Sequence, residues 1–268
     1  MMEKKAQKIV VLGGGESGVG AAILAHKLGY WVFLSEGGAI RPNYQEQLTD
    51  KGIPFEENGH TPTILKEADW VVKSPGISSS NQWVQWFCQS GIPVISEIEF
   101  AARHTRQPII AITGTNGKST TTKLTWHLLK TAGIKAELGG NIGISFASLV
   151  AHTQPEYFVL EISSFQLEDC PTFHPQIAAI LNITPDHLDR YHGSMQEYAN
   201  AKFQIFKNLR EGDVFLFNSN DQWVEKGLSL VDSKVKKTGI PVPLVDDQNP
   251  FLLRNSALLG QHNAHNAA

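Results

Sequence analysis

The stretch Ala111–Leu124, AITGTNGKSTTTKL, constrains the fold more than any other part of the chain. An apolar run leads in, two glycines punctuate it, and Lys118-Ser119-Thr120 opens a run of helical character. Strand, glycine turn and helix in that order are the setting of a phosphate-binding loop. The common form of that loop is Gly, four residues, then Gly-Lys-Ser/Thr. Counting back from Gly117, the first glycine falls at position 112, which is isoleucine, so this loop is a variant. Gly114 and Gly117 let backbone N–H groups turn inward around an anion. The helix that follows points its positive end at the same place. Lys118 is spaced to reach β/γ phosphates, and a Ser119 or Thr120 hydroxyl to ligate magnesium. A plain polar turn would need none of these three residues.

The segments around the loop repeat one theme. QPIIAIT, EYFVLEIS, QIAAILNIT and DVFLFNSND read as buried strands, and Ser119–Thr131 as a helix. SMQEYANAKFQIFKNL has helical spacing, with Ala199, Phe203 and Phe206 on one face. Upstream, Ile9–Leu12 is a β-branched strand, and Ala21, Ala22, Leu24, Ala25 and Leu28 form a helical stripe ended by Gly29. WVFLSE is a second strand, ADWVVKSPGI a third that stops at a Pro-Gly turn, and GIPVISEIEF a fourth leading to a helix through Ala101 and Ala102. Alternating strands and helices predict an α/β chain with mostly parallel sheets. The expected division is a Rossmann-like domain over residues 1–100 and a P-loop NTPase-like central domain over 101–268, with the boundary near Glu97–Arg106.

Composition narrows the partners. The 268 residues carry a net charge of -3 with 18% charged side chains, which argues against bulk attraction to nucleic acid or anionic membrane. Cys88 and Cys170 share no short spacing, so neither a zinc motif nor a disulfide framework is indicated, and both read as reduced core thiols. The six tryptophans read as core. The basic start MMEKKAQK leads into an apolar run that breaks at GGGESG, too short for a signal peptide or a membrane span. A cytoplasmic protein is the default expectation.

GGGESG fits the G-x-G-x-x-G pattern at Gly13, Gly15 and Gly18, and Glu36 ends the next strand where an NAD-binding acid would sit. Taken alone this reads as an NAD-binding oxidoreductase. A lone fingerprint is weak, and the unit is short for a full dinucleotide fold. Glu161 ends a buried strand opposite the phosphate loop, the usual place of a magnesium partner. Asp186, His187 and Asp189 in PDHLD read by themselves as a helix cap with a surface histidine, and Lys202 as a solvated helix lysine.

TGTNGKST resembles the nucleotide loop of the Mur ligases and their folylpolyglutamate synthetase relatives. EISSFQLE (Glu161–Glu168), LNITPDHLDRY (Leu181–Tyr191), YANAK ending at Lys202 and the terminal GQHNAHNAA extend that resemblance in order along the chain. SSFQ favours the members that add D-glutamate. The resemblance implies an ATP-dependent ligase that joins D-glutamate to UDP-N-acetylmuramoyl-L-alanine through an acyl phosphate, in cytoplasmic peptidoglycan synthesis. A sister Mur or folylpolyglutamate-type ligase is the near alternative. It implies an ATP site at Gly114, Thr115, Asn116, Gly117, Lys118, Ser119, Thr120 and Asn263. It implies substrate contacts at Ser17, Glu36, Ser74, Pro75, Gly76, Asn141 and Ser163. Magnesium ligands would be Ser119, Glu161, His187 and Lys202, the last as a carbamate, and Lys118, His187 and Lys202 would be catalytic. No nucleic-acid or membrane partner is implied, and a monomer is expected. Family members continue past HNAHNAA into a third domain, so this chain is expected to lack the C-terminal ligase domain and to be inactive alone.

Overall fold

The structure is a computed structural model that describes residues 7–241. Asn263 and the terminal GQHNAHNAA lie outside the described residues. The chain divides into two compact units. Among the described residues, the first holds 7–106 together with Ile144–Gln154 and Glu168–Pro171, and the second holds Gln107–Gly143, Pro155–Leu167 and 172–241.

In chain order the first unit begins with β1 (Lys8–Leu12), α1 (Glu16–Lys27), β2 (Trp31–Ser35), α2 (Pro42–Asp50) and β3 (Phe55–Glu56). It continues with α3 (Pro62–Leu65), β4 (Trp70–Lys73), α4 (Gln82–Gln89), β5 (Val94–Ser96) and α5 (Glu97–Arg103). Its sheet has the order β3-β2-β1-β4-β5, with every pairing parallel. Strands of such a sheet are covered on both faces, which is why KIVVL and WVVK are nearly continuous apolar runs. Val10, Leu12, Val71, Val84 and Phe87 form the packed centre on one side. The strand order reverses around β1, so the glycine turn after β1 opens at the switch point, where such sheets take ligands.

In the second unit β6 (Ile109–Thr113) leads to α6 (Lys118–Thr131) and β7 (Ala136–Gly140). After α7 (Phe146–His152), which belongs to the first unit, come β8 (Tyr157–Glu161), α8 (Ser164–Leu167), β9 (Ile177–Ile180) and α9 (Met195–Phe203). The remaining elements are β10 (Val214–Asn218), α10 (Gln222–Gly227) and β11 (Lys236–Ile240). The sheet order is β11-β10-β9-β6-β8-β7, again all parallel. β6 is central, so the loop after it sits at the carboxyl edge with a strand on either side. Phe203 and Phe206 are buried, as their shared helical face predicts.

Three details differ from the expectation. The segment read as strand through Phe100 is helical from Glu97, because the Ser96 side chain caps α5 by accepting from Glu99 N at 3.1 Å. Cys88 is exposed rather than in the core, while Cys170 is buried. The third is α7, which the sequence reading did not assign to the first unit.

Helix α7 is held by α1 and α5. A Cβ at Gly20 of α1 would lie 2.2 Å from Ser145 Oγ, so only glycine allows that approach. Glu16 Oε1 accepts from Ser145 N at 3.0 Å, and Lys27 Nζ donates to the Ala151 carbonyl. Glu97, 1% exposed, accepts from Ala147 N, and its second oxygen is buried with no hydrogen-bond partner. Burial, opposed by the Ala147 N–H and reinforced by the nearby Glu16, pushes the Glu97 carboxyl up to about 8 from 4.5. A raised carboxyl pKa means that the folded chain holds a proton the unfolded chain has released. Stability from this group is therefore full below about 4.5 and is lost as pH rises toward about 8. Glu97→Gln is isosteric and uncharged. It should stabilise the chain above pH 8 by more than about 1 kcal/mol and change little near about pH 3.5, below the unfolded carboxyl's pKa. Urea unfolding at the two pH values measures this, and an equal shift at both would contradict it.

Candidate functional site

The loop between β6 and α6 is shaped by backbone geometry first. Gly117 has φ +84° and ψ -9°, a left-handed conformation that suits glycine and turns the chain into the helix. Lys118 is the first residue of α6, and its Nζ donates to Thr115 O at 2.9 Å, so the lysine arches over the loop. Ser119 is exposed at the top of the helix, and its Oγ donates to Glu161 Oε2 at 2.6 Å. Glu161 ends β8 and is only 2% exposed, so the solvated strand end that its position would ordinarily give is not found. Asn141, just past β7, donates its Nδ2 to Glu161 Oε1 at 2.8 Å. Loop, acid and amide thus meet at the carboxyl edge of adjacent strands β6, β8 and β7.

Lys202 in α9 is buried to 1%, not solvated. Its Nζ donates to Gly114 O at 2.9 Å and lies 4.6 Å from the centre of the Tyr198 ring. Burial first, and then the neighbouring Lys118 charge, pull the Lys202 ammonium down to about 7, against the opposite pull of Asp186. His187 is exposed, has φ +49°, and faces Asp186 at 3.6 Å and the Phe165 ring at 5.2 Å. Ser163 donates both its N and its Oγ to Gln166 Oε1, at 3.0 and 3.1 Å.

In the first unit, the predicted acid Glu36 is turned onto its own backbone. Its Oε2 accepts from Gly14 N at 2.6 Å and its Oε1 from Gly38 N at 2.8 Å. Ser74 N donates to Leu12 O at 2.9 Å, which sets the Ser74-Pro75-Gly76 turn beside the glycine turn. Ser17 lies in the first turns of α1.

Oxygen donors suit a hard divalent cation, and the Ser119 hydroxyl and Glu161 carboxylate form such a pair. Among the described residues, no three His, Cys, Asp or Glu side chains are gathered where they could hold a metal ion. Lys202 as an amine is a donor and offers no oxygen.

Asn182 and Tyr198 carry the loop and were not singled out from the sequence. Asn182 Oδ1 accepts from Asn116 N at 2.8 Å and Thr115 N at 3.2 Å, and its Nδ2 donates to Asn116 O at 3.0 Å. The Tyr198 hydroxyl lies 3.1 Å from Thr115 Oγ1, which also bonds Thr184. Asn182 stands inside a segment quoted for its resemblance, but an asparagine some sixty positions from the loop carries no local signal.

A family model for the Mur ligase middle domain matches residues 112–242, and one for the MurD N-terminal domain matches residues 8–82. The chain belongs to the Mur ligase family. The UDP-N-acetylmuramoylalanine--D-glutamate ligase of Christiangramia forsetii is 43% identical over 97% of this chain. The ligase of the same name from Porphyromonas gingivalis is 39% identical over 99% of it. The chain spans 62% and 63% of the length of these two relatives. Among solved Mur ligases, UDP-N-acetylmuramate:L-alanyl-gamma-D-glutamyl-meso-diaminopimelate ligase from Neisseria meningitides superposes with a TM-score of 0.61 at 20% identity, covering 87% of this chain and 78% of that one. UDP-N-acetylmuramate-alanine ligase MurC from Thermotoga maritima gives 0.52 at 23% identity, covering 82% and 51%. At such identities the likeness concerns the fold, an α/β chain of two all-parallel sheets. Among the described residues no helix is long and apolar enough to cross a membrane.

Asn182→Ala removes three bonds from the phosphate loop at once. Thr115 N keeps its bond to the Asn182 backbone carbonyl, and Asn116 is exposed, so the loss is that of ordinary hydrogen bonds, about 0.5–1.5 kcal/mol each. The substitution should lower the urea midpoint and weaken nucleoside triphosphate binding by about tenfold or more. Wild-type affinity in this variant would show that the loop holds its shape without Asn182.

Proposed function

We propose that this chain is the UDP-substrate and ATP-binding part of a ligase that joins D-glutamate to UDP-N-acetylmuramoyl-L-alanine. One observation carries the reading beyond family membership: a buried carboxylate, Glu161, meets Ser119 of a glycine loop at 2.6 Å, with Lys118 beside it. That arrangement suits a phosphoryl group and its cation. The two relatives named for this reaction support the choice of substrates. The first unit would hold the UDP portion, with Ser17, Glu36 and Ser74–Gly76 near it. The second unit would hold ATP at Gly114–Thr120, with Asn263 as a further contact outside the described residues. The reading places the step in the cytoplasm, in cell-wall peptidoglycan synthesis, and the protein as a monomer.

In this mechanism the loop amides and the Lys118 ammonium bind the β/γ phosphates and neutralise charge as it develops on them. The alanine carboxylate attacks the γ-phosphorus, the bond to the bridging oxygen breaks, and ADP leaves an acyl phosphate. The D-glutamate amine then adds to the acyl carbon, loses its proton and expels phosphate. Ser119 and Glu161 would hold Mg2+, which when bound supplies positive charge to the phosphate oxygens. Asn141 fixes the second Glu161 oxygen and so orients the carboxylate. His187 and a carbamate on Lys202 would hold a second ion. Carbon dioxide adds only to an unprotonated amine, and an ammonium drawn down to about 7 supplies one at neutral pH.

An NAD-binding oxidoreductase built on GGGESG is the reading from another class. The match of residues 8–82 to the MurD N-terminal domain favours the ligase reading over it.

Two experiments test the proposal. Lys118→Ala should weaken ATP binding to this chain by at least about tenfold, ~1.4 kcal/mol, and leave binding of UDP-N-acetylmuramoyl-L-alanine unchanged. Titration calorimetry measures both, and unaltered ATP affinity sinks the loop assignment. For Lys202, 13C-labelled bicarbonate should give a carbamate carbonyl signal by NMR at neutral pH that disappears in Lys202→Ala. A spectrum identical in the two proteins rejects the carbamate.

A further inference from the structure

We infer that Lys73 and Asp169 are a positioning pair that holds the Ser74–Ile77 turn against the glycine turn of the first unit, and so sets the affinity of that site for a nucleoside diphosphate. The inference rests on the proposed reading of the first unit as the UDP-holding part.

Lys73 is the last residue of β4 and is 1% exposed, among the largest fully buried side chains of the described residues. A buried ammonium is costly unless it is paired and hydrogen-bonded, so its partners carry the explanation. Nζ donates to Ile77 O at 2.8 Å, reaching forward across the Ser-Pro-Gly turn. It also forms an ion pair with Asp169 Oδ2 at 2.8 Å. Asp169 is brought there by its backbone. Its carbonyl accepts from Ser96 N at 2.9 Å, and Ser96 is the register partner of Lys73 across β4 and β5. The next residue, Cys170, puts its Sγ 3.0 Å from Ser96 Oγ. A segment far along the chain is thus fastened beside β5 and delivers one carboxylate to the end of β4.

The turn is consequently tied at both ends. Ile77 N donates to Ser74 O at 3.1 Å, Ser74 N to Leu12 O at 2.9 Å, and the ammonium anchors the Ile77 carbonyl. Ser74 Oγ is pressed onto the glycine turn, where a Cβ at Gly13 would lie only 2.5 Å away. That hydroxyl is buried and has no hydrogen-bond partner among the described residues. A polar group so placed is matched to a ligand acceptor only if the turn stays put. An apolar side chain at position 73 would fill the space without tethering Ile77.

The test uses this chain, with UDP as probe of the first unit and ATP as an internal control on the second, both by titration calorimetry. Lys73→Met should weaken UDP binding by at least about tenfold and leave ATP affinity within about twofold. The double variant Lys73→Met with Asp169→Asn leaves no lone buried charge. It should melt closer to wild type than Asp169→Asn alone, and still bind UDP at least about tenfold more weakly than wild type. It also carries the test if either single variant unfolds. Wild-type UDP affinity in the double variant would show that the pair serves stability only, and would overturn the inference while leaving the reading of the first unit intact. A wild-type chain that fails to bind UDP would overturn both.

Discussion

A carboxylate at the end of β8 joins three strands to one helix. Glu161 pairs in register with Ile112 of β6 on one side and Gly140 of β7 on the other, so its side chain emerges where the two neighbouring loops begin. Taking a carboxylate to 2% exposure costs several kcal/mol unless donors replace its water. The Ser119 hydroxyl and the Asn141 amide are those donors, and hydrogen bonds to a charged group contribute about 1.5–3 kcal/mol each. Asn141 N also bonds the Glu161 carbonyl at 2.8 Å, so backbone and side chain agree on one geometry. Each donor is itself a predicted site residue. The acid therefore organises the site as well as belonging to it.

The loop before α6 needs support from the other side, because glycines that permit its turn do not by themselves hold it. Asn182 after β9, and Thr184 and Tyr198 beyond it, provide that support through Thr115 and Asn116. β9 pairs with β6 through Ile180 opposite Thr113, which carries Asn182 alongside the loop two residues later. Glu161 fixes the helix end of the loop and Asn182 fixes its turn. The segment between them can present N–H groups without reorganising, which is the condition for electrostatic stabilisation of a phosphoryl group.

How much of this was legible depended on how local each cause is. The loop, its strand and its helix were readable because Gly114, Gly117, Lys118 and Ser119 lie within six positions. Both parallel sheets were readable from their apolar runs. Glu161 was readable as a strand end, but its burial was not, since that depends on donors supplied by other elements. The start of α5 was misread because Val94–Phe100 is apolar enough for a strand, and only the Ser96 cap decides for helix. Helix α7 was missed for a related reason. Its seven residues are too few to establish a periodicity, and what docks it is the absence of a side chain at Gly20, a feature of a helix about 125 positions away. Lys73 and Asp169 likewise have no pattern in common until Ser96, the register partner of Lys73, donates its N–H to the Asp169 carbonyl.

Lys202 shows the limit from the chemical side. A helix lysine is normally solvated, and only the packing of α9 against the loop removes this one from water. Once buried, it also feels the positive charge of Lys118, and two ammonium groups close together cannot both keep full charge at low cost. The conflict is resolved on Lys202, which is the more buried of the two, by drawing its pKa down to about 7. The Gly114 carbonyl needs only one of its hydrogens, and the Tyr198 ring shields it on another side. At neutral pH a substantial fraction is therefore a neutral amine held at a fixed point beside the loop. On the proposed reading Lys118 would remain the cation for the phosphates, and Lys202 gains the lone pair that a solvated lysine lacks.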